Sequence, residues 1–470
     1  MRALLISTYD LGRQPFGLAS PAAWLRRSGV EVDCVDTSRE PLDDSRIAAA
    51  SFVAFYLPMH TATRLAAPFI DRVRNVNPAA RVCAYGLYAP LNADWLRARG
   101  VDDIVGPEAE AELVALANSQ PSDANSRSPK PNAQTPKPVV QSPKPRVQEL
   151  PHLQFIQPHR AGLPPLARYA SLRMPDGSRR TMGSTDASRG CKHLCRHCPI
   201  VPVYEGRFRA VPIDVVLTDI RAQVTAGAQH ISFGDPDFFN GPTHARRLVE
   251  HVAREWPGLS YDVTIKIEHL LRHAALLPLL RETGCLFVTS AVESIDDAVL
   301  EKLRKGHTRA DFIQAVARCR DAGLTLAPTF IPFTPWTTLD GYVELLDLIE
   351  RLDLIEHVAP VQLGIRLLIT AESPLLELAE IRAHVGTFDD ASLTWQWHHP
   401  DPRVDSLQPD VMRLVSASTS QSRGAVFETI DAMARSRAGL PMASRRAGGH
   451  RPVPYVSEPW YCCAEPMESV

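Results

Sequence analysis

Short apolar runs alternate with longer amphipathic segments over residues 1–118. The amphipathic segments, at residues 22–28 and 61–76, carry apolar side chains at helical spacing, and the first of them ends near Gly29. Strands that alternate with helices predict a parallel sheet covered by helices on both faces. The apolar runs that predict its strands are residues 3–7, 30–35, 52–57, 81–85 and 102–105.

A second alternation of strands and helices follows over residues 180–385. It predicts a partial barrel of strand–helix units, which we place in a domain at residues 151–385. Helices are expected at residues 212–226 and from Asp296 onward, with Ser294 or Ile295 near the cap. The predicted strands are residues 229–233, 261–267, 286–291, 325–331 and 361–368.

Side chains able to bind a ligand stand at the carboxyl ends of these predicted strands, where parallel barrels place their chemistry. Lys266 and Glu268 are alternate residues, point the same way from a strand, and could also pair with each other. Arg366 could bind a carboxylate through two hydrogen bonds or form an ion pair within the barrel. The residues at these ends are Gly234, Asp235, Asp237, Lys266, Glu268, Glu293 and Arg366.

The composition changes sharply between the two α/β regions and again after them. Residues 119–150 are rich in Pro, Ser and Lys, and three copies of Ser/Thr-Pro-Lys-Pro repeat there every seven residues. Proline forbids regular helix or sheet at this density, so we expect an extended tether and a domain boundary. Residues 386–440 are predicted to be an α-rich extension, and residues 441–470 a flexible tail.

Composition narrows the class of protein. The chain has 470 residues, 45% of them hydrophobic, and a formal net charge of −2, so we expect neither nucleic acid nor a membrane as a partner. The N-terminal apolar run is too short for a signal peptide. Nine cysteines, an odd number clustered in two places, do not form a secreted disulfide framework. A reducing cytoplasm is the expected compartment.

The first cysteine cluster is Cys191, Cys195 and Cys198, spaced C-x3-C-x2-C. Three soft thiolates in one short loop suit an iron–sulfur cluster. A four-iron cluster usually takes four cysteines, so three leave one iron open to an exogenous ligand. The alternative is a zinc knuckle that adds His193 or His197, but no cysteine follows Cys198 until Cys285.

This loop resembles that of the radical SAM superfamily, in which S-adenosylmethionine (SAM) binds the open iron of a [4Fe-4S] cluster and is cleaved by one electron. The resemblance implies cluster binding by the three cysteines. The resemblance matches Gly234 and Asp235 to the superfamily's Gly-Gly-Glu motif, in which one glycine is present here and aspartate stands in place of glutamate. It also places Glu293, in Ala-Val-Glu-Ser, near the ribose or substrate, and leaves Lys266 and Arg366 as further candidates for binding SAM.

The segment from Gly106, Gly-Pro-Glu-Ala-Glu-Ala-Glu-Leu, resembles the end of the cobalamin-binding-like domain that precedes many radical SAM barrels. The resemblance implies a Rossmann-like, cobalamin-binding-like domain at residues 1–118. The domain contains no D-x-H-x-x-G sequence, so no histidine is marked as a lower cobalt ligand. Cobalamin is therefore the less favoured cofactor, and a docking or lid domain is the alternative.

The second cysteine cluster is the vicinal pair Cys462 and Cys463, followed by Ala, Glu465 and Pro. A disulfide between adjacent cysteines strains the peptide between them, whereas both sulfurs can bind one thiophilic atom. The ending resembles that of the CUAEP/CCAEP-tail radical SAM (seleno)protein family, in which some members carry selenocysteine where Cys463 stands. The family's link with organoarsenical synthesis implies a trivalent arsenic substrate held by the two thiols, with Glu465 assisting.

The sequence thus predicts an α/β radical SAM enzyme that transfers a SAM-derived 3-amino-3-carboxypropyl group to arsenite. Its expected partners are this small-molecule substrate and a reductant such as flavodoxin or ferredoxin. The first alternative is radical modification of an organic metabolite, with or without cobalamin. The second is a non-enzymatic thiol sensor of metals.

Overall fold

The computed structural model describes residues 1–119, 153–418, 421–442 and 451–458. The predicted tether lies outside these ranges except for residue 119, and so do Cys462, Cys463 and Glu465. Among the described helices, none is both long and apolar enough to span a bilayer.

The first region is a parallel five-stranded sheet in the order β2-β1-β3-β4-β5, with helices on both faces. Two buried apolar clusters, one on each face, form its core. The five strands coincide with the predicted apolar runs to within one residue, and the predicted fold class is confirmed. The strands are β1 Arg2–Ser7, β2 Glu31–Asp36, β3 Phe52–Tyr56, β4 Arg81–Tyr85 and β5 Asp103–Val105. The helices are α1 Phe16–Arg27, α2 Asp44–Ala49, α3 His60–Val76, α4 Tyr88–Leu91, α5 Ala93–Ala98 and α6 Glu110–Asn118.

Helix α1 begins six residues before the predicted start at residue 22, and Pro21 lies inside it. Proline has no N–H to donate to the carbonyl four residues earlier, which in α1 belongs to Gly17. The buried Tyr85 hydroxyl donates a hydrogen bond of 2.7 Å to that carbonyl instead. A side chain from β4 therefore satisfies the group that Pro21 leaves without a partner, and the helix continues through the proline.

Replacing Tyr85 with Phe should therefore destabilise the first region. The substitution keeps the ring but leaves the buried Gly17 carbonyl without its donor, at a cost of about 1–3 kcal/mol. Thermal or denaturant unfolding measures this difference. An unfolding free energy within about 0.5 kcal/mol of the parent would show that water or α1 itself satisfies the carbonyl.

The second region is a seven-stranded sheet in the order β13-β12-β11-β10-β7-β6-β16. Its first five strands are parallel and form a half-barrel, while β6 and β16 add antiparallel at one edge. The strands are β6 Ser171–Arg173, β7 Arg179–Thr185, β10 His230–Phe233, β11 Ser260–Thr264, β12 Cys285–Glu293, β13 Thr325–Phe330 and β16 Tyr455–Val456. A separate hairpin pairs β8 Ser188–Gly190 with β9 Phe208–Ala210.

Helices cover the outer face of the half-barrel around one large apolar core. The predicted helix at residues 212–226 is confirmed as α8. The helix expected from Asp296 is α12, and its cap is Asp296 itself, whose carboxylate accepts from two backbone N–H groups. The helices are α7 Val201–Tyr204, α8 Ile213–Thr225, α9 Pro242–Glu255, α10 Ile267–Arg272, α11 Leu277–Glu282, α12 Asp297–Lys302, α13 Arg309–Asp321 and α14 Leu339–Arg351.

The strand predicted at residues 361–368 is wrong. Pro360–Leu363 form a short 3-10 helix, and Arg366 makes only one isolated bridge, to Phe333. The side chain of Gln362 accepts a hydrogen bond from the N–H of Phe330 at 3.3 Å, so an amide side chain partners the end of β13 where a sixth strand would lie.

After the half-barrel come a short helix, a small antiparallel hairpin and two long helices. These elements are α15 Ala379–His384, β14 Val385–Asp389, β15 Thr394–Trp397, α16 Pro402–Ala417 and α17 Arg423–Ala438. Part of the predicted flexible tail differs from expectation, because Tyr455 and Val456 form β16 on the edge of β6. The guanidinium of Arg423 covers the Tyr455 ring at 4.3 Å, which helps to hold this strand.

Candidate active site

The three cysteines of the first cluster lie in one loop between β8 and α7. The loop turns tightly, with the N–H of Cys198 donating to the carbonyl of Cys195 at 3.1 Å. Cys195 is buried and the other two are partly buried, and none of the three is in a disulfide. Burial, with smaller effects from Cys198 and Asp237, raises the pKa of the Cys191 thiol to about 12. Such a site favours thiolates only when cationic charge, such as that of bound iron, joins them.

A cavity of about 310 Å³ lies between the carboxyl edges of the two large sheets. This volume is in the range of small-molecule sites. All three cysteines line the cavity from the half-barrel side, and Tyr56 and Gly86 line it from the first sheet. The position matches the expectation for parallel strands, whose carboxyl ends carry the chemistry.

A buried ion pair links the cysteine loop to the first sheet beside this cavity. The guanidinium of Arg189, which is two residues before Cys191, donates to Glu110 of α6 at 2.6 Å, and the hydroxyl of Ser20 donates to the same carboxylate oxygen. The Arg189 guanidinium also holds the pKa of the Glu110 carboxyl below its usual range, against burial, which acts to raise it. The loop that carries the cysteines is thereby tied directly to the first sheet's helices.

Gly234 lines the cavity, but Asp235 turns away from it. The Asp235 carboxylate is buried, accepting from the N–H of Ala187 at 2.9 Å and from the hydroxyl of Ser188 at 2.5 Å. Burial and the neighbouring Asp186 raise its pKa to about 7. The structure thus does not bring Asp235 to a position where it could accept from the SAM ammonium.

Asp186 occupies the space that Asp235 leaves. One of its carboxylate oxygens lies 2.3 Å from where a Cβ on Gly234 would stand, so a larger residue there would displace the Asp186 side chain. Asp186 and Asp10 both line the cavity, and burial raises the pKa of both carboxyls, that of Asp10 to about 7. Neither residue was predicted from the sequence, although Asp186 directly follows β7 just as the predicted site residues follow their strands.

Glu293 ends β12 in a left-handed conformation, with φ of 68°, and faces the cavity. Its carboxylate lies 3.2 Å from His197 Nε2 and 3.2 Å from Lys305 Nζ, and all three side chains are buried. These two partners outweigh burial and lower the Glu293 pKa to about 2. His197 comes directly before Cys198, so the triad joins the cysteine loop to the end of β12. Lys305 was missed because it reaches the site from the loop after α12.

The remaining predicted residues divide between two places. The strand predicted to end at Glu268 ends earlier, at Thr264. Lys266 lines the cavity from the turn before α10, and its Nζ lies 4.0 Å from the Glu268 carboxylate. Arg366 does not line the cavity. Its guanidinium pairs with Asp405 at 2.9 Å and stacks 3.6 Å from the Trp397 ring centre.

Comparison with known proteins identifies the domain around this loop. Residues 186–349 match the sequence model of the Radical SAM superfamily. The chain contains a radical SAM domain. Such a domain implies a [4Fe-4S] cluster and SAM, and the donor set fits, because the three thiols are soft ligands that open on one cavity.

The chain is similar to curated proteins over about a third of its length. It is 28% identical over 180 residues to the ribosomal protein uS12 methylthiotransferase RimO of Porphyromonas gingivalis, covering 34% of this chain and 39% of the relative. It is 27% identical over 153 residues to the hopanoid C-3 methylase of Methylococcus capsulatus, covering 33% and 29%. The chain thus spans less than half the length of these relatives. The domain and its relatives make the chain an enzyme, which confirms that prediction over the thiol sensor.

Solved structures share the fold over nearly the whole chain. The cobalamin-dependent radical SAM enzyme OxsB, with aqua-cobalamin and SAM bound, gives a TM-score of 0.66 at 13% identity and covers 93% of this chain and 71% of its own. The methyltransferase TsrM of Kitasatospora setae, with cobalamin and a [4Fe-4S] cluster bound, gives 0.59 at 16% identity, covering 93% and 99%. At these identities the likeness establishes the fold of both regions.

Proposed function

We propose that the chain cleaves SAM reductively and transfers a SAM-derived group to a small molecule in the cavity between the two sheets. The observation that carries this proposal is that Cys191, Cys195 and Cys198 open on a cavity that both sheets enclose. When bound there, a four-iron cluster with one open iron supplies the electron that breaks a carbon–sulfur bond of SAM. A protein reductant such as flavodoxin or ferredoxin would supply that electron to the cluster.

The chain's own side chains would hold SAM beside the cluster loop. The cavity-lining Asp186 carboxylate, packed over Gly234, is the best-placed acceptor for the methionyl ammonium. Lys266 is the cation best placed for the methionyl carboxylate. Glu293 is anchored by His197 and Lys305 and would accept from the ribose hydroxyls. Asp235 and Arg366 make their contacts away from the cavity and would not touch SAM.

The substrate we propose is trivalent arsenic held by Cys462 and Cys463, with Glu465 beside them. The sequence of the tail supports this substrate. The position of Glu458, at the end of the described range 451–458, supports it too. Glu458 pairs with Arg39 at 3.2 Å and lies against Gly12, whose neighbour Leu11 lines the cavity. Cys462 and Cys463 follow Glu458 by four and five residues. A fully extended chain of that length spans at most about 14–18 Å from the Glu458 Cα.

The atoms and electrons of this transfer balance. The 3-amino-3-carboxypropyl group leaves the sulfonium, and methylthioadenosine is released. Arsenic gains a carbon–arsenic bond, loses one hydroxide and remains trivalent. The reductant supplies two electrons in all, one to break the carbon–sulfur bond and one to complete the exchange of hydroxide for carbon.

A cobalamin-dependent methyl transfer to an organic molecule is the second candidate. It is favoured by the extension of the cavity from the cysteine loop to the carboxyl edge of the first sheet, where Tyr56, Gly86 and His60 line it. It is also favoured by the cobalamin-containing neighbours that cover 93% of this chain. A chain of this type would retain a corrinoid through purification.

Single-turnover product analysis tests the proposal. The anaerobically reconstituted chain is mixed with dithionite and SAM, with and without arsenite. We expect methylthioadenosine and an organoarsenical in equal amounts, both lost in Cys462→Ser/Cys463→Ser and retained in Cys319→Ser, a buried thiol on α13. 5′-Deoxyadenosine that is independent of arsenite and of the tail thiols would contradict the arsenic substrate. Dependence on added methylcobalamin would favour the second candidate.

A further inference from the structure

Two histidines and one aspartate meet beside the cysteine loop, and the proposed function does not use them. His193 lies in the loop between two of the cysteines, Asp237 follows β10, and His269 lies on α10. Their side chains are 12%, 0% and 5% exposed, respectively. One donor atom of each lies within 4.8 Å of the other two. Three separate segments of the chain therefore bring metal-ligating atoms to one enclosed place.

One of the two contacts within this group does not have the geometry of a hydrogen bond. Asp237 Oδ2 lies 3.1 Å from His193 Nε2 and 2.6 Å from His269 Nδ1. Despite the shorter distance, the buried His269 Nδ1 has no hydrogen-bond partner within the described residues. The ring nitrogen and the carboxylate oxygen are thus side by side without being aimed at each other. Two ligand atoms of one tetrahedral zinc ion lie about 3.3 Å apart, so the His193–Asp237 separation already fits an ion and the His269–Asp237 separation would widen when the ion binds.

We propose that His193, Asp237 and His269 bind one zinc ion. Two imidazoles and one carboxylate are a common zinc donor set, and a fourth position would remain for water. The surroundings fit as well. The Glu268 carboxylate lies 3.6 Å from His193 Nδ1, the nitrogen that would not face the metal. An outer carboxylate that hydrogen-bonds this nitrogen fixes the ring orientation of a ligating histidine, and Glu268 would have to move closer by about 0.5 Å to make that bond. The second oxygen of Asp237 accepts from the N–H of Phe239 at 3.1 Å, which orients the carboxylate.

The consequence of such a zinc site is structural. His193 stands between Cys191 and Cys195, so a metal bond at His193 would tie the cysteine loop to the ends of β10 and β11. Because Asp237 and His269 belong to the wall of the half-barrel, the loop would hold its position whether or not a cluster is present. The site is separate from the three cysteines and needs none of their sulfurs.

Metal analysis of the full-length chain tests the site. The chain with its cluster assembled, carrying Cys462→Ser/Cys463→Ser so that tail thiols cannot bind zinc, is stripped with a chelator, loaded with Zn²⁺ and desalted. We expect about one zinc per chain, as for a single three-ligand site. His269→Gln and Asp237→Asn should lose it. His273→Ala should keep it, because His273 packs 5.6 Å from His269 but is not a ligand.

Cobalt absorption identifies the ligands independently of activity. In the same background with all three cluster cysteines replaced by Ala, Co²⁺ should give visible d–d bands without sulfur charge-transfer bands, and His269→Gln should remove them. Far-UV circular dichroism verifies that each variant is folded. The proposal would be overturned if the folded parent chain retained no zinc, or if the parent chain and His269→Gln retained equal amounts of zinc. In either case His193, Asp237 and His269 would form only a hydrogen-bonded network.

Discussion

Cys195→Ser should abolish both the cluster and the cleavage of SAM. Cys195 is the buried cysteine of the loop, so its sulfur cannot be replaced by an external thiol without opening the site. Serine is a harder donor that three-thiolate clusters do not tolerate well. Iron content should fall from about four atoms per chain to near zero, and product formation to background.

Cys319→Ser is the matched control for this substitution. Cys319 is as buried as Cys195 but belongs to the apolar core around α13, so its replacement should cost some stability and leave the iron content unchanged. Full iron loading of Cys195→Ser would contradict the assignment of the cluster ligands. Loss of iron in both variants would indicate a general folding defect.

Glu293→Gln should destabilise the chain by about 3 kcal/mol, because it removes the carboxylate that neutralises the buried Lys305. It should also disturb the loop through His197, the residue before Cys198. Denaturant unfolding at neutral pH measures the first effect, and the apparent affinity for SAM measures the second. Glu301→Gln, an exposed position on α12, is the control and should change neither.

The stabilisation from Glu293 should depend on pH in a defined direction. The Glu293 pKa is lowered from 4.5 to about 2, so the ionised form favours the folded state. The contribution is complete above about pH 4.5 and is lost as pH falls toward 2, which amounts to about 3 kcal/mol over that interval. The difference in stability between the parent chain and Glu293→Gln should therefore shrink with acidification. A difference that stays constant from pH 7 to pH 3 would contradict the ion pair.

The sequence predicted the parts of the fold that depend on local pattern. Apolar runs marked the strands of the first sheet, because a parallel strand buried on both faces must be apolar along its whole length. The cysteine loop was predicted for a similar reason, since its chemistry requires three thiols at short spacing. Helix α1 was misjudged because the partner that lets it continue through Pro21 is Tyr85, 64 residues further along the chain.

The sequence could not predict how individual side chains around the cavity point. Asp235 stands where the motif requires an acid, yet Ala187 and Ser188 capture its carboxylate. Asp186 takes the place beside Gly234 only because the end of β7 pairs with the end of β10. Arg366 was predicted on a strand, and its pairing with Asp405 depends on α16, a helix far along the chain. Each of these outcomes depends on tertiary contacts that no local pattern encodes.

The electron paramagnetic resonance spectrum of the dithionite-reduced chain, recorded with and without SAM, tests whether the cysteine loop holds a cluster that binds SAM. We expect a reduced four-iron signal that changes on adding SAM, because SAM would bind the iron that the three cysteines leave open. The change should persist in Cys462→Ser/Cys463→Ser, whose tail acts on the substrate, and the signal should be absent in Cys195→Ser. A four-iron signal that SAM leaves unchanged would contradict the assignment of the cavity as the SAM site.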